Sequence, residues 1–307
     1  MWFRNARIFR FTKPVEFDAE ELESKLEEGA FSPCGPQDSF RLGWASPLGG
    51  RAPGLVHVAN NNFLVCLRKE EKILPSAVIK EALAEQVEKI ETEQSRKVGR
   101  KEKNELKDQL TLELLPKAFT RSRHTFAYLA PQEGYMVVDT ASAKQAEELA
   151  STLRNTLGSL PIRPPAVQQS PNFVMTAWLK GDLQLPAGMA LGQECELKDT
   201  GEEGGVVRCR GLDLQGEEIL AHLESGMQVT RVALDWQESL SFLLDEELTL
   251  RRLKFGETLK DQIDDIDSDD ALAKFDGAFS LMTLEIARLF PVLLEALGGE
   301  DREAIVA

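Results

Sequence analysis

The densest set of potential metal ligands in the chain is the acidic run Asp264–Asp270, whose sequence is DDIDSDD. Its aspartates alternate as they do in the calcium-binding loop of an EF-hand. Such a loop needs a glycine at its sixth position and a bidentate glutamate at its twelfth. Aspartates occupy both positions here, at Asp270 and Asp276. We therefore interpret the run as a solvated loop that leads into a helix, and we predict no metal site.

The sequence offers no catalytic constellation among its histidines, cysteines and serines. The three histidines, which lie far apart without the paired spacing of a zinc site, are His57, His124 and His222. The four cysteines, which include no CxxC pair, are Cys34, Cys66, Cys195 and Cys209. Thiols in this arrangement are typical of reduced cysteines in a cytoplasm. Because nucleophile-elbow and phosphate-binding glycine motifs are also missing, we predict a binding protein that is not an enzyme and needs no cofactor.

Positive charge is concentrated in one part of an acidic chain. The 307 residues carry a net charge of −15. Between Gln94 and Arg123 there are nine basic and four acidic residues, so this segment is +5 and the remainder is −20. Lysine and arginine dominate phosphate binding, so a segregated basic surface is compatible with DNA binding. Solvated helix faces are also often basic, and the charge pattern alone leaves both interpretations open.

The basic segment overlaps a predicted pair of antiparallel helices at residues 76–117. Apolar residues recur about once per turn in two stripes, Ile79, Leu83, Val87 and Ile90, then Leu106, Leu110 and Leu114. Ser76 is the expected N-cap, Gly99 separates the helices, and Pro116 ends the second helix. Each helix has one narrow apolar edge, which suffices for pairing but not for burial in a core. We therefore predict an arm that projects from the body.

The rest of the chain predicts an α+β body with antiparallel sheets. Alternating apolar runs indicate an opening strand at 2–11 and hairpins at 55–68 and 124–140, with helices at 20–29 and 142–161. The proline-rich stretch 161–172 is the expected boundary. The predicted domains are residues 1–160, with the arm 76–117 inserted, and an α+β domain at 161–307. Since no apolar run approaches about 18 residues, no membrane partner is expected.

Ten short segments, in order along nearly the whole chain, carry a resemblance to a known family. They are WFRN (2–5), AFSPCG (30–35), GW (43–44), HVAN (57–60), RKEEKILPS (68–76), LLPKAF (114–119), LRNTLGSLP (153–161), VALDW (232–236), RRLKF (251–255) and LMT (281–283). The long RKEEKILPS run is the most specific of them. On these segments the chain resembles the RdgC family of bacterial recombination-associated proteins.

The resemblance implies a ring-shaped homodimer that closes through two contacts, one between C-terminal parts and one between helical tips. Its positively charged hole would admit double-stranded DNA without sequence preference, and single-stranded DNA stays open as a second ligand. Proteins of this kind associate with the nucleoid in the cytoplasm and restrain recombination promoted by RecA. Phe119 falls where an exposed aromatic residue would help to close the tip contact. The other interpretation of Phe119 is a packing residue beneath the helical hairpin.

Nine basic residues are the candidates for contact with DNA phosphates. They are Lys72, Arg96, Lys97, Arg100, Lys101, Lys117 and Arg121, followed in the second half by Arg208 and Arg210. The last two alternate along a predicted strand and therefore share a face. Each of the nine is also open to interpretation as a solvated surface charge. The alternative function is a protein-interaction module that uses the arm as a docking surface without contacting DNA.

Overall fold

Helices and antiparallel strands make up the computed structural model, which describes residues 1–199, 201, 204–264 and 271–306. The strands are β1 (Asn5–Phe11), β2 (Phe40–Ala45), β3 (Val56–Ala59), β4 (Asn62–Ile73), β5 (Phe119–Ala130), β6 (Tyr135–Val138), β7 (Ile162–Arg163), β8 (Met189–Lys198), β9 (Val206–Arg210), β10 (Gln228–Trp236), β11 (Leu240–Asp245) and β12 (Leu250–Phe255). The helices are α1 (Ala19–Glu28), α2 (Ser76–Gln94), α3 (Arg100–Leu114), α4 (Ala143–Leu157), α5 (Pro171–Lys180), α6 (Glu217–Glu224), α7 (Glu257–Asp264), α8 (Ala271–Ala296) and α9 (Arg302–Val306). The predicted α+β class is confirmed.

One open antiparallel sheet runs through the described chain in the order β2-β4-β5-β6-β1-β12-β11-β10-β8-β9. In addition, β3 pairs with β4, and β7 pairs with β1. The predicted hairpin around residue 60 is confirmed, because Asn60 and Asn61 join β3 to β4 with φ angles of 48° and 58°. Asparagine tolerates this left-handed region better than most residues, which explains the asparagine-rich turn.

Strand β1 joins the two halves of the sheet. Asn5 and Ala6 pair with β12, whereas the residues from Arg7 onward pair with β6 and β7. At the change of partner, the Asp139 carboxylate accepts hydrogen bonds from the backbone N–H groups of Arg4 and Asn5, at 2.9 and 2.8 Å. The sheet is therefore continuous across residue 160, and the division into two domains stays a prediction.

Helices cover both faces of the sheet. On one face α4 buries Ala146, Leu149, Ala150 and Leu153, which recur at helical spacing, against α1 and β4. Ser142 caps the start of α4 by accepting a hydrogen bond from the Gln145 N–H. On the other face α5 and α6 pack at the second half of the sheet. Helix α8 reaches the first half, where its Phe279 and Phe290 contact Tyr128 on β5 and Tyr135 on β6. The two faces thus carry separate apolar cores.

Helix α8 is long and apolar enough to cross a membrane by length and composition alone. However, 56% of its most apolar window is buried within the protein. Its side chains with at most 3% exposure include Phe279, Met282, Ile286, Leu289, Phe290 and Leu293. Burial of this kind is typical of the core helix of a globular fold, and we interpret α8 in this way.

The predicted arm is present as an insertion in the long β4–β5 hairpin. The last paired residues of that hairpin are Ile73 and Phe119, and α2 and α3 lie between them. The 19 and 15 residues of these helices give lengths of about 28 and 22 Å. Neither helix contains a fully buried residue, and α2 packs chiefly against α3. The narrow apolar stripes therefore do pair with each other rather than enter a core.

The structure tests two predicted helix boundaries in the arm, the break at Gly99 and the N-cap at Ser76. Gly99 is the N-cap of α3, as expected for the break between the helices. The prediction that Ser76 caps α2 is wrong, because Pro75 is the N-cap and Ser76 is already the first helical residue. Ser76 therefore lies one position past the N-cap, and no side-chain hydrogen bond caps α2.

Gly43 generates a prediction about stability, because the chain at Phe31 crosses directly over it. A Cβ atom at residue 43 would lie 2.4 Å from the Phe31 Cα and 2.7 Å from the Phe31 N. The crossing is held by a hydrogen bond from the Phe31 N–H to the Trp44 carbonyl, at 2.8 Å. We expect Gly43→Ala to lower the free energy of unfolding by about 1–3 kcal/mol in urea titrations, through overpacking. Gly50→Ala, where nothing lies within 4 Å, is the control and should change it little. Equal stability of the two variants would contradict the prediction.

Candidate nucleic-acid interface

A stripe of cations without carboxylate partners follows one face of the arm. Arg100, Lys103 and Lys107 are spaced i, i+3 and i+7 along α3, and Lys97 precedes them at the turn. All four side chains are exposed. Among the residues that the structure describes, none of the four forms an ion pair. We call this set the arm stripe; Lys97 and Arg100 were predicted as phosphate contacts, whereas Lys103 and Lys107 were not.

The other predicted cations near the tip are paired. The Arg96 guanidinium donates two hydrogen bonds to Glu102, at 2.7 and 2.6 Å, and a third to the Gln94 side chain. The hydrogen bond from Arg96 is also the main reason that the pKa of Glu102 is lowered. Lys101 lies 3.9 Å from Glu105. Arg96 therefore closes the turn between α2 and α3, and fewer of its donors face solvent.

At the foot of the arm the predicted residues have different surroundings. The Lys72 ammonium donates to the carbonyl oxygens of Leu115 and Pro36, at 2.9 and 3.4 Å. Arg121 forms an ion pair of 2.5 Å with Glu71. Lys117 is exposed and forms no ion pair within the described residues. Within the described residues, Arg121 thus has a carboxylate partner, Lys72 is held by carbonyl oxygens, and Lys117 has neither kind of contact.

Phe119 lies at the foot of the arm and is 86% exposed. The residue opposite it in the ladder, Ile73, is 45% exposed. Side chains of paired residues in an antiparallel ladder lie on the same face. The two side chains therefore form one small apolar surface open to solvent, and Phe119 is not a packing residue beneath the helices.

Arg208 and Arg210 lie together on β9, at the opposite edge of the sheet from the arm. Glu196 accepts hydrogen bonds from Arg208 Nε and Arg231 Nη1, at 2.7 and 3.1 Å. Glu194 accepts from Arg252 Nη2 and Arg210 Nε, at 2.6 and 3.3 Å. We call these two glutamates and four arginines the sheet patch. They line a concave surface, and the patch carries four positive and two negative charges.

Sequence reasoning missed Arg231 and Arg252. Arg231 lies on β10, which pairs with β8 beside Glu196. Arg252 has a φ of 52°, which is unusual for a residue other than glycine, in a strand whose pairing with β11 is irregular. Such irregularities redirect side chains, and here the guanidinium reaches Glu194. Only the register of the folded sheet brings these side chains together, so spacing along the chain gave no signal.

Both glutamates of the sheet patch are held in the ionised form. The hydrogen bond from Arg252 is the largest cause of the lowered pKa of Glu194. For Glu196, burial acts to raise the pKa, but the hydrogen bond from Arg208 and the charges of Arg231 and Arg208 outweigh it, and the pKa is lowered. At neutral pH the patch is therefore an array of permanent charges of both signs.

His57, Cys66 and Cys195 lie in structural surroundings rather than in a reactive site. His57 packs edge-on against Phe275 and lies 3.1 Å from the Asp276 carboxylate. Burial raises the pKa of the Cys66 and Cys195 thiols to about 12, so both stay protonated. No group of three or more histidine, cysteine, aspartate or glutamate side chains that could hold a metal occurs among the described residues. Most of the acidic run, from residue 265 to 270, lies outside them.

Comparison with known proteins decides the family. The family model described as "Putative exonuclease, RdgC" matches residues 1–300. The chain belongs to the RdgC family. A protein of Aeromonas hydrophila subsp. hydrophila named Recombination-associated protein RdgC is 47% identical over 302 residues, which are 98% of this chain and 99% of that protein.

Two further relatives of the RdgC family match over nearly their full length. Proteins named Recombination-associated protein RdgC from Tolumonas auensis and Yersinia pestis are 46% and 45% identical to this chain. Each comparison covers at least 98% of this chain and 99% of the relative. The resemblance drawn from the ten short segments is thus confirmed, and the chain is a member of a recombination-associated family.

The hydrogen bonds of Lys72 generate a second prediction about stability. Replacing Lys72 by alanine removes a charged donor from two carbonyl oxygens at the foot of the arm. We expect Lys72→Ala to lower the free energy of unfolding by about 1 kcal/mol. Lys117→Ala is the matched control, and it should stay within about 0.5 kcal/mol of the parent protein because Lys117 is exposed. Denaturant titration of both variants makes the comparison, and a larger loss in Lys117→Ala would refute the structural role of Lys72.

Proposed function

We propose that this protein binds DNA through the phosphate backbone, without sequence preference, and thereby restrains RecA-dependent recombination. The observation that carries the proposal is the arm stripe, with four exposed cations that have no carboxylate partner in the described chain. Unmatched cations release condensed counterions when they meet phosphates, and this term is independent of base sequence. The recombination-associated names of the relatives support the same biological setting.

The acidic remainder of the protein has a role in this proposal. The chain outside the basic segment carries −20, and a surface of that sign repels DNA. Approach would therefore be directed to the arm and to the sheet patch. Contacts with the phosphate backbone of DNA fix the position of the protein on the duplex but carry no information about the base sequence. We infer that double-stranded DNA is the main ligand and that the protein acts in the cytoplasm, on the nucleoid.

We further propose that two copies of the chain close into a ring around duplex DNA. The exposed surface formed by Phe119 and Ile73 supports a contact between copies at the foot of the arms, because an apolar pair open to solvent gains from burial. A ring would keep the protein on DNA without many contacts. RecA would then meet DNA that is already occupied.

Alanine substitution of the arm stripe tests the DNA-binding proposal. We expect Lys97→Ala, Arg100→Ala, Lys103→Ala and Lys107→Ala together to weaken binding to random-sequence duplex by at least tenfold and to flatten the dependence of log affinity on log salt. The control removes four exposed cations elsewhere, at Lys13, Lys144, Arg163 and Lys180, with the same change of net charge. Fluorescence anisotropy across a salt series measures both variants.

The outcomes separate the proposal from its alternative. Equal losses in the two variants would show that net charge, and not the arm stripe, governs binding. Absence of binding by the parent protein at low salt would refute the DNA-binding proposal and favour the arm as a docking surface for another protein. Inhibition of RecA-promoted strand exchange should fall in parallel with DNA affinity. Inhibition that survives the arm-stripe substitutions would point to direct contact with RecA.

Phe119→Asp tests closure of the ring. Because Phe119 is 86% exposed, the substitution should leave the fold intact while placing a charge in the proposed contact. We expect a lower mass in light scattering, or at least weaker association, and faster loss from circular DNA after a salt challenge. Phe173→Asp is the matched control, since Phe173 is 60% exposed on α5. An unchanged mass and unchanged retention of Phe119→Asp would overturn the assignment of this surface.

The description of the matched family model favours hydrolysis of DNA ends as a second candidate function. This candidate predicts shortening of linear duplex by the purified protein in the presence of magnesium or manganese. The DNA-binding proposal predicts that the same DNA stays at full length while it is retained by the protein. Gel analysis of end-labelled duplex distinguishes the two.

A further inference from the structure

The two glutamates of the sheet patch are held among its four arginines. Each carboxylate lies between two guanidinium groups, Glu196 between Arg208 and Arg231, and Glu194 between Arg210 and Arg252. A carboxylate and a phosphate oxygen make the same kind of charge-assisted hydrogen bond to arginine. The patch thus already contains carboxylate oxygens, which are acceptors of the same kind as the phosphate oxygens that its arginines would bind.

The outer arginines remain accessible despite these bonds. Arg208 and Arg210 reach the glutamates through Nε, and their side chains are 67% and 72% exposed. A guanidinium has five N–H donors in a fixed fork, so the terminal nitrogens of both residues still have donors for a phosphate. A phosphate that binds there would lie close to an ionised carboxylate and would be repelled by it.

The inner arginines keep the glutamates in position. Arg231 and Arg252 are less exposed than the outer pair, at 35% and 50%. Glu196 and Glu194 themselves are only 14% and 25% exposed, so neither carboxylate is free to turn away into solvent when DNA approaches. Because the pKa values of both are lowered, protonation at neutral pH does not remove their charge.

We propose that Glu194 and Glu196 are built-in competitors of the DNA backbone that set the affinity of the sheet patch. The inference rests on the proposed DNA binding and adds a role for acidic residues within it. With both glutamates present, half of the positive charge of the patch is cancelled, and the phosphodiester backbone is held weakly there. Weak binding at the patch allows DNA to slide past this surface.

Glutamine substitution of the two glutamates tests the inference. Glu194→Gln with Glu196→Gln keeps the side-chain shape and an oxygen acceptor for the arginines but removes two negative charges. We expect binding to random-sequence duplex to tighten on the order of tenfold at fixed salt and its salt dependence to steepen. The control is Glu20→Gln with Glu27→Gln on α1, which makes the same change of net charge at exposed positions away from the patch.

A double-mutant cycle shows whether the gain acts through the outer arginines. Arg208→Ala with Arg210→Ala should weaken binding slightly in the parent protein and cancel most of the gain in the glutamine variant. A gain no larger than that of the α1 control, or a loss of affinity, would overturn the inference, because the glutamates would then be neutral or would serve to orient the arginines. If the double variant melts early, Glu194→Gln alone gives the test, since Glu194 is the more exposed.

The same experiment keeps this inference apart from the proposed function. A parent protein that binds duplex with a salt dependence, combined with a glutamine variant that matches its control, overturns the competition and leaves DNA binding intact. A parent protein that shows no salt-dependent binding, with glutamine and control variants that also show none, overturns both.

Discussion

The shared strand β1 is the constraint on which the rest of the structure depends. A single strand of seven residues pairs with β12 at its start and with β6 and β7 further along. The Asp139 carboxylate binds the backbone at the change of partner and satisfies two N–H groups there. Because both halves of the sheet depend on the same strand, the β4–β5 hairpin that carries the arm and the strands that carry the sheet patch are held in one framework.

Within that framework, the electrostatic value of a cation depends on its neighbours more than on its place in a basic segment. Arg121 and Arg208 each have a carboxylate across the ladder, at Glu71 and Glu196. Lys103 and Lys107, on a helix, have none in the described chain. The charge count of the segment located the exposed cations of the arm. It could not tell which cations have a carboxylate partner, because pairing is decided by strand register and by helix face.

Most of the features predicted correctly from the sequence depend on local patterns. The turn at Asn60, the stripes of the arm and the α4 helix follow from periodicity and from residues suited to turns, which act over a few positions. The cap of α2 was assigned to Ser76 but belongs to Pro75, a shift of one residue that propensity does not resolve. The sheet patch joins side chains from four strands, β8, β9, β10 and β12. No local pattern encodes such a set, and only the family resemblance pointed beyond single elements.

The limited packing between α2 and α3 affects which part of the molecule unfolds most easily. Segments that bury few apolar side chains open locally at a small fraction of the global unfolding free energy. Amide protons of the arm should therefore exchange with solvent well before those of β4 and β5 at its foot. The body would stay folded during such openings. A ring closed at the foot of the arms would then keep Phe119 and Ile73 on folded strands while the helices above them open and close.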